Sequence, residues 1–320
     1  MIDGEPPVLL QALPQAGAFL LPIRGGWRYD GRNGILVRAP VAPEPLEHPA
    51  PVGAFTAVER QGRTPGGYGI STELEIRDRP GGPERVVYRA PEMFYWSGWA
   101  PDGRFVALWE VDHYSGSIDQ DGRPLLVIDV VTGEKVDLGR TLLYGTTAWT
   151  APHTLAFVSG GFRMVWDEKA LATWSPENGT REVTMSGTVG FAPAWAADGR
   201  TLYFASGPAG QYDPLPVFAG RGPGDRRITV LDLAAGTTRS LAHEPGYVEE
   251  AARLSHDGKR LLVLRRETVE ASDIRSIADA PFEMWLTDAD GAHGTALVRI
   301  TKAFGAYGWL PDPSGWEWSE

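Results

Sequence analysis

Residues 97–109 read SGWAPDGRFVALW, and this stretch decides the fold. A short apolar run ends in Trp99, the pair Asp102-Gly103 follows, and an apolar segment begins at Phe105. Asp-Gly is typical of a tight turn between two strands, because the Asp side chain accepts a backbone hydrogen bond and Gly tolerates a positive φ. The stretch therefore predicts a β-hairpin.

The same pattern recurs along the whole chain. Its six copies are anchored at Trp27, Trp99, Trp149, Trp195, Leu254 and Trp309. Successive anchors are 72, 50, 46, 59 and 55 residues apart. Six units in 320 residues is about 53 residues per unit, which is close to the ~40–50 residues of a four-stranded propeller blade. The repeat predicts an all-β fold: a six-bladed β-propeller of four-stranded antiparallel blades, with residues 1–320 as a single domain and the anchors as core residues between blades.

A second hairpin follows each of the first five anchors, marked by alternating apolar and polar positions and a Gly turn. In the second unit these strands are residues 124–131 (PLLVIDVV) and 134–139 (EKVDLG). In the first unit they are residues 71–78 (STELEIRD) and 84–90 (ERVVYRA). That assignment makes residues 39–69 a long insertion in the first unit.

The sixth unit begins at Trp309 and has only two strands before the sequence ends. An unpaired sheet edge invites aggregation, so another strand is needed there. Residues 8–13 (VLLQAL) have no other assignment. We expect them to close the ring as the outer strand of this last blade.

The segments WAPDGRFVALW, WAADGRTLYFA and LSHDGKRLLVL, anchored at Trp99, Trp195 and Leu254, resemble the PD40 repeat, a WD40-like repeat of TolB-like and related six-bladed propellers. The resemblance covers essentially the whole chain, with three good copies and three degenerate ones. It implies the fold and leaves the activity open, because the repeat residues build blades. Related propellers bind partner proteins, gate the active sites of hydrolases, or carry catalysis in the central channel.

Composition narrows the classes of partner and chemistry. The net charge is −11 and no basic run is visible, so nucleic acid is not an expected partner. The absence of cysteine excludes disulfides, thiolate metal sites and a Cys nucleophile. No apolar stretch reaches the ~20 residues of a membrane span, and the N-terminus lacks a signal-peptide pattern. The family resemblance favours the cell envelope, with the export signal absent from this sequence, and the missing signal alone favours the cytoplasm.

A binding site is expected on the face that carries the long loops between the second and third strands of each unit. Aromatic and ionisable residues there, and at the mouth of the channel, are the candidate ligand-binding residues: Tyr95, Trp96, Asp112, His113, Tyr114, Tyr144, Tyr212, Glu249, Glu250 and Tyr307. Neighbours in a strand point to opposite faces, so at most one of Glu249 and Glu250 faces the channel. Solvated surface, or a contact with Arg253, is the alternative for this pair.

Asp119 and Asp121 form a DxDG pattern whose alternate oxygens could bind Ca²⁺. A structural turn is the alternative, since the twelve-residue calcium loop is incomplete. No other cofactor is predicted.

The leading hypothesis is a non-catalytic propeller that binds a protein, peptide or glycan. No GxSxG elbow and no ligand-spaced His pair occur, so serine-hydrolase and zinc-site signatures are missing. The alternative is an enzyme with a small-molecule site, with metal assistance, at the channel mouth. No catalytic residue is assigned, and the oligomeric state is not predicted.

Overall fold

The computed structural model describes residues 9–12, 19–23, 27–30, 35–38, 46–63, 69–112, 122–143, 145–161, 169–183, 187–208, 225–268, 282–300 and 317–318. Their regular structure is entirely β-strand, which confirms the all-β prediction. This part of the chain contains no helix with the length and apolar character needed to cross a bilayer.

The strands in chain order are β1 (Leu9–Ala12), β2 (Phe19–Ile23), β3 (Trp27–Asp30), β4 (Ile35–Arg38), β5 (Leu46–Pro49), β6 (Thr56–Arg63), β7 (Gly69–Arg77), β8 (Glu84–Trp99), β9 (Phe105–Val111), β10 (Arg123–Asp129), β11 (Lys135–Thr141), β12 (Thr147–Thr150), β13 (Thr154–Ser159), β14 (Ala170–Ser175), β15 (Gly179–Glu182), β16 (Thr188–Trp195), β17 (Thr201–Pro208), β18 (Arg227–Asp232), β19 (Thr237–Ser240), β20 (Tyr247–Leu254), β21 (Arg260–Glu267), β22 (Phe282–Asp288), β23 (Thr295–Ile300) and β24 (Glu317–Trp318).

The described strands form five sheets. One has five strands in the order β1-β23-β22-β21-β20, and another has seven, from β11 through β5 in reverse chain order. The remaining three have four strands each: β12 to β15, β16 to β19, and β24-β2-β3-β4. The third and fourth strands of the second repeat unit, β10 and β11, lie where the sequence predicted them. The third to fifth repeat units also have the expected second strand pair after the anchor: β14–β15, β18–β19 and β22–β23.

Independently of the six repeat units, the chain divides into two compact regions. Compact region 1 comprises Met1–Val41, Met164–Leu171 and Thr184–Glu320, and compact region 2 comprises Ala42–Arg163 and Ala172–Val183. The five-stranded sheet, the β16–β19 sheet and the sheet containing β24 belong to compact region 1. The seven-stranded sheet and most of the β12–β15 sheet belong to compact region 2.

Strand β8 is 16 residues long and serves two groups of strands. Its first half pairs with β7, where Glu84 lies opposite Arg77, and its second half pairs with β9, where Trp99 lies opposite Val106. The seven-stranded sheet is therefore two four-stranded arrangements, β5–β8 and β8–β11, that share one continuous strand.

The prediction that residues 39–69 form an insertion is wrong, because this segment contains β5 and β6. β6 lies in the sheet interior, with Ala57 and Val58 fully buried. β5 carries Glu47, His48 and Pro49, and these residue types do not indicate a strand. The long interval between the anchors Trp27 and Trp99 thus contains two additional strands, β5 and β6, that are not marked by the Asp-Gly pattern.

The predicted place of the N-terminal strand is also corrected. β1 pairs antiparallel with β23, so it is a fifth strand beside the unit anchored at Leu254 rather than part of the unit anchored at Trp309. The strand that follows Trp309, β24, pairs instead with β2. The group β24-β2-β3-β4 therefore contains one strand from the C-terminal end and three from the N-terminal end, a combination that local sequence patterns do not reveal.

The Asp-Gly turns have the predicted chemistry. Oδ1 of Asp102 accepts the backbone N–H of Arg104 at 3.0 Å, and Gly103 adopts a φ of +70°. Arg104 then donates to Asp129 at 2.7 Å, at the end of the third strand, and Oδ1 of Asp129 accepts the N–H of Val131 at 2.8 Å. Equivalent Arg–Asp pairs occur at Arg200–Asp232 and Arg260–Asp288. Each such pair ties the first hairpin of a unit to its second hairpin.

The core of compact region 2 shows why its central strands are apolar throughout. Along β9, Phe105, Ala107 and Trp109 face one buried cluster, and Val106 and Leu108 face another. Both faces of the strand are covered, so apolar residues occupy consecutive positions rather than alternate ones.

Candidate functional site

Glu249 and Glu250 lie side by side on β20 and are each 1% exposed. The register of β20 against β21 shifts between Glu249 and Ala251, so the pair sits at a β-bulge. The expectation that these carboxylates are solvated is wrong. Arg253 donates to the backbone oxygen of Pro193 at 2.9 Å.

The four neighbouring strands β20 to β23 carry side chains of alternating charge at directly opposed positions. Glu249 lies opposite Arg265, Arg265 opposite Glu283, and Glu283 opposite Arg299. Directly opposed residues of an antiparallel pair share a face of the sheet, so these side chains form one row. We call these four residues the charge row.

Hydrogen bonds join the members of the charge row in two pairs. Arg265 donates from Nε and Nη2 to Oε1 of Glu249 at 3.1 and 3.0 Å. Arg299 donates from Nη1 to Oε1 of Glu283 at 2.7 Å. The second oxygen of Glu249 accepts the N–H of Ile228, on β18, at 2.8 Å. The row therefore also fixes the start of β18 against β20.

Glu250 has its own partners. It accepts a hydrogen bond from Arg226, and another from Nε of Arg266 at 3.1 Å. The guanidinium of Arg266 lies 3.7 Å from the ring centre of Phe282. Burial lowers the pKa of Arg266, and the attraction of Glu250 opposes that shift. Two adjacent carboxylates are thus neutralised by separate sets of arginines, an arrangement that anchors the sheet.

A half-buried aromatic pair packs on the charge row. The rings of Tyr247 and Trp285 are 5.5 Å apart at an interplanar angle of 68°. Tyr247 Oη and Trp285 Nε1 both donate to Oε2 of Glu283 at 2.9 Å, and the Arg265 guanidinium lies 4.7 Å from the Trp285 ring centre. Burial, with the hydrogen bond to Glu283, raises the pKa of Tyr247 to about 12, so its hydroxyl remains a donor. We call these two side chains the aromatic pair.

His243 lies next to the charge row, in the connection from β19 to β20. Its Nδ1 is 3.8 Å from Oε1 of Glu249. Burial lowers the pKa of His243, although Glu249 attracts a proton to it. The imidazole is therefore neutral around pH 7.

The sequence prediction missed His243, Arg265, Glu283, Trp285 and Arg299, which are spread over four elements. A usable signal was present. β21 and β22 are apolar strands that each carry charged residues near one end, in the stretches LRRE and FEMW. Charged residues in an otherwise buried strand are costly unless they are paired, so their recurrence on consecutive strands indicates a cluster.

Trp96 belongs to a different group of side chains, in compact region 2. Its ring stacks on His48 at 4.3 Å between ring centres, with an interplanar angle of 8°. Nε2 of His48 lies 2.5 Å from Oε1 of the buried Glu59, and Ser71 donates to the other oxygen of Glu59. Tyr95 packs against the apolar cluster that contains Trp109. The structure therefore places the neighbouring rings of Tyr95 and Trp96 in separate surroundings.

Asp112 forms an ion pair with Arg123, which begins β10. The other predicted site residues lie outside the described residues: His113, Tyr114, Asp119, Asp121, Tyr144, Tyr212 and Tyr307. Within the described ranges no three His, Asp or Glu side chains converge as a metal-binding group. A calcium site at Asp119 and Asp121 stays a prediction.

No family model matches the sequence. The uncharacterized protein Atu1656 of Agrobacterium fabrum is 23% identical over 252 residues, which cover 78% of this chain and 72% of that protein. An oligogalacturonate lyase from Vibrio parahaemolyticus aligns with a TM-score of 0.51 at 12% identity, over 90% of this chain and 75% of that chain.

TolB from Acinetobacter baumannii aligns at 16% identity with a TM-score of 0.42. The alignment covers 78% of this chain and 53% of that chain, so the chain spans about half the length of that TolB. At such identities the likeness concerns the fold alone. By fold, this chain is similar to the oligogalacturonate lyase from Vibrio parahaemolyticus, and TolB is a further structure with which it aligns.

Proposed function

We propose that the chain is a non-catalytic binding propeller, and that the aromatic pair on β20 and β22 is the centre of its ligand-binding surface. The carrying observation is that both polar groups of the pair are held by one carboxylate, Oε2 of Glu283, at 2.9 Å. The rings are thereby fixed before a ligand arrives. Tyr and Trp held in this way bring large contact area at a low cost in conformational entropy, as in many binding surfaces.

The carboxylates near the pair support a binding role over acid–base catalysis. Glu249, Glu250 and Glu283 each accept hydrogen bonds from arginine, so their charges are already neutralised. A general base needs a lone pair that can reach a substrate proton. The arrangement around Glu283 instead supports the rings.

The class of ligand follows from charge and shape. The whole chain carries a net charge of −11, which favours neutral or cationic ligands over anionic ones. The partly exposed Glu267 and Arg299 beside the aromatic pair add polar contacts at its edge. A protein segment, a peptide or a neutral glycan fits these properties.

The experiment is a screen of the purified chain against a random peptide library and a glycan array, each in parallel with Trp285→Ala. We expect ligands that bind the wild-type chain and are lost with Trp285→Ala, because an aromatic anchor carries much of a binding surface's energy. A glycan that is cleaved rather than retained would instead favour the enzymatic alternative. Ligands bound equally by both chains would contradict the proposed site.

We also propose that residues 1–320 form one six-bladed propeller, in which β24 completes the blade of β2–β4. Support comes from the four-stranded groups described above and from the pairing of Phe19 with Trp318. Because the chain lacks cysteine, a Phe19→Cys/Trp318→Cys double variant can form one disulfide only. We expect it to form on mild oxidation and to raise the melting temperature, since it closes nearly the whole chain.

The matched control for this disulfide is Phe19→Cys/Ser314→Cys, which alters the same end of the chain without using the paired position. A disulfide that forms as readily in the control, or that fails to form in the folded Phe19→Cys/Trp318→Cys chain, would contradict this closure.

A further inference from the structure

Three hairpin turns of compact region 2 meet at the side chain of His153. Its Nδ1 lies 2.6 Å from Oδ2 of Asp102, in the β8–β9 turn, and its Nε2 lies 2.8 Å from Oε1 of Glu177, in the β14–β15 turn. His153 itself belongs to the β12–β13 turn, and its side chain is 16% exposed. One imidazole therefore bridges two carboxylates on opposite edges of its ring.

This geometry fixes the protonation state. A neutral imidazole has one N–H donor and one acceptor nitrogen, and an ionised carboxylate can only accept. Two contacts of hydrogen-bond length to two carboxylates therefore require both ring nitrogens to carry protons. The observed arrangement is that of an imidazolium between two carboxylates.

We propose that His153 is a proton-controlled clasp: the imidazolium ties the turns of Asp102 and Glu177 together, and the neutral imidazole keeps Asp102 and releases Glu177. Glu177 is the partner that leaves because its side chain is 60% exposed, whereas that of Asp102 is 26% exposed. A backbone hydrogen bond from Asp102 to Pro152, at 3.1 Å, also holds the β8–β9 turn to the β12–β13 turn without His153.

The other groups that face His153 are consistent with this control. The Phe105 ring packs edge-on against the imidazole at 5.4 Å, and Arg104, the nearby cation, donates to Asp129. Burial opposes the charge on the ring, but Asp102 and Glu177 together raise the pKa of His153 above its usual value. The hydrogen bond from His153 in turn lowers the pKa of Glu177.

The dependence on pH has a defined direction. A group whose pKa is raised on folding contributes stability that is fully present below its unfolded pKa of about 6.5. That stability is lost as the pH rises through the pKa of the folded chain. The clasp is therefore closed in acid and opens toward alkaline pH.

Nitrogen-15 NMR of the histidine-labelled full chain tests the proposal, with His153 assigned from its absence in His153→Gln. We expect two protonated ring nitrogens at pH 6, a titration midpoint above 6.5, and the Nδ1–H tautomer above that midpoint. Glu177→Gln changes an exposed carboxylate, so the chain should fold, and the midpoint should fall toward about 6.5. Each unit of midpoint lost is a tenfold weaker hold on the proton.

Glu182→Gln, on the strand that follows the same turn, is the matched control and should leave the midpoint unchanged. A midpoint at or below 6.5, or one that Glu177→Gln leaves unaltered, would overturn the clasp. The Nε2–H tautomer at alkaline pH would overturn the assignment of Glu177 as the released partner.

Discussion

Arg265→Met is expected to destabilise the chain by about 3–5 kcal/mol, the usual cost of leaving one member of a buried ion pair without its partner. Arg265 and Glu249 are each 1% exposed, so water cannot replace the lost guanidinium. The same substitution removes the cation beside the Trp285 ring. Chemical unfolding followed by tryptophan fluorescence measures the loss as a lower midpoint concentration of denaturant.

The Glu249→Gln/Arg265→Met double variant separates the charge effect from packing. With both charges gone, no uncompensated ion remains, so the double variant should be more stable than Arg265→Met alone. Arg265→Lys keeps the charge but gives up the two-nitrogen contact with Glu249. Its stability should lie between that of the wild-type chain and that of Arg265→Met. A double variant that is less stable than Arg265→Met would show that the pair is not the source of the effect.

Gly122→Ala is expected to cost about 3 kcal/mol, the upper end of the usual penalty for overpacking, because the clash is with backbone. A Cβ on Gly122 would lie 2.1 Å from the Cα of Gly161 and 2.4 Å from its carbonyl oxygen. Gly122 also donates its N–H to that oxygen at 3.1 Å and accepts from Arg140 at 2.9 Å. Thermal unfolding by circular dichroism should show a markedly lower melting temperature.

Gly133→Ala is the matched control for the Gly122 substitution. Gly133 has a φ of +79° and open space around an added Cβ, so alanine there costs only the backbone strain of roughly 1–2 kcal/mol. If Gly122→Ala were no more destabilising than Gly133→Ala, the close approach of Gly122 and Gly161 would not exist in solution.

The repeated hairpins were predictable because their chemistry is local. The pair Asp102-Gly103 and the strand from Phe105 lie within a few residues of each other, and the same holds for Asp198-Gly199. β5 was missed because its local sequence does not favour a strand: it contains Glu47 and Pro49. A strand after Trp309 was expected, but its pairing with β2 was missed, because β2 lies at the other end of the sequence.

The candidate site was predictable only in part. Glu249 and Glu250 were singled out as adjacent carboxylates, but their burial depends on arginines of other elements, Arg226, Arg265 and Arg266. Those pairings follow from strand register, which one sequence does not specify. The two carboxylates that contact His153 come from residues 51 positions before it and 24 after it, a convergence that one sequence does not reveal.

The central claim is that the aromatic pair binds a ligand, and titration calorimetry with a peptide or glycan selected on the wild-type chain tests it most directly. The account predicts an affinity roughly thirtyfold weaker for Trp285→Ala, as for a hot-spot residue worth about 2 kcal/mol, and a smaller loss for Trp285→Phe, which keeps a ring. The melting temperature of each variant confirms that it is folded. An unchanged affinity in folded Trp285→Ala would contradict the claim.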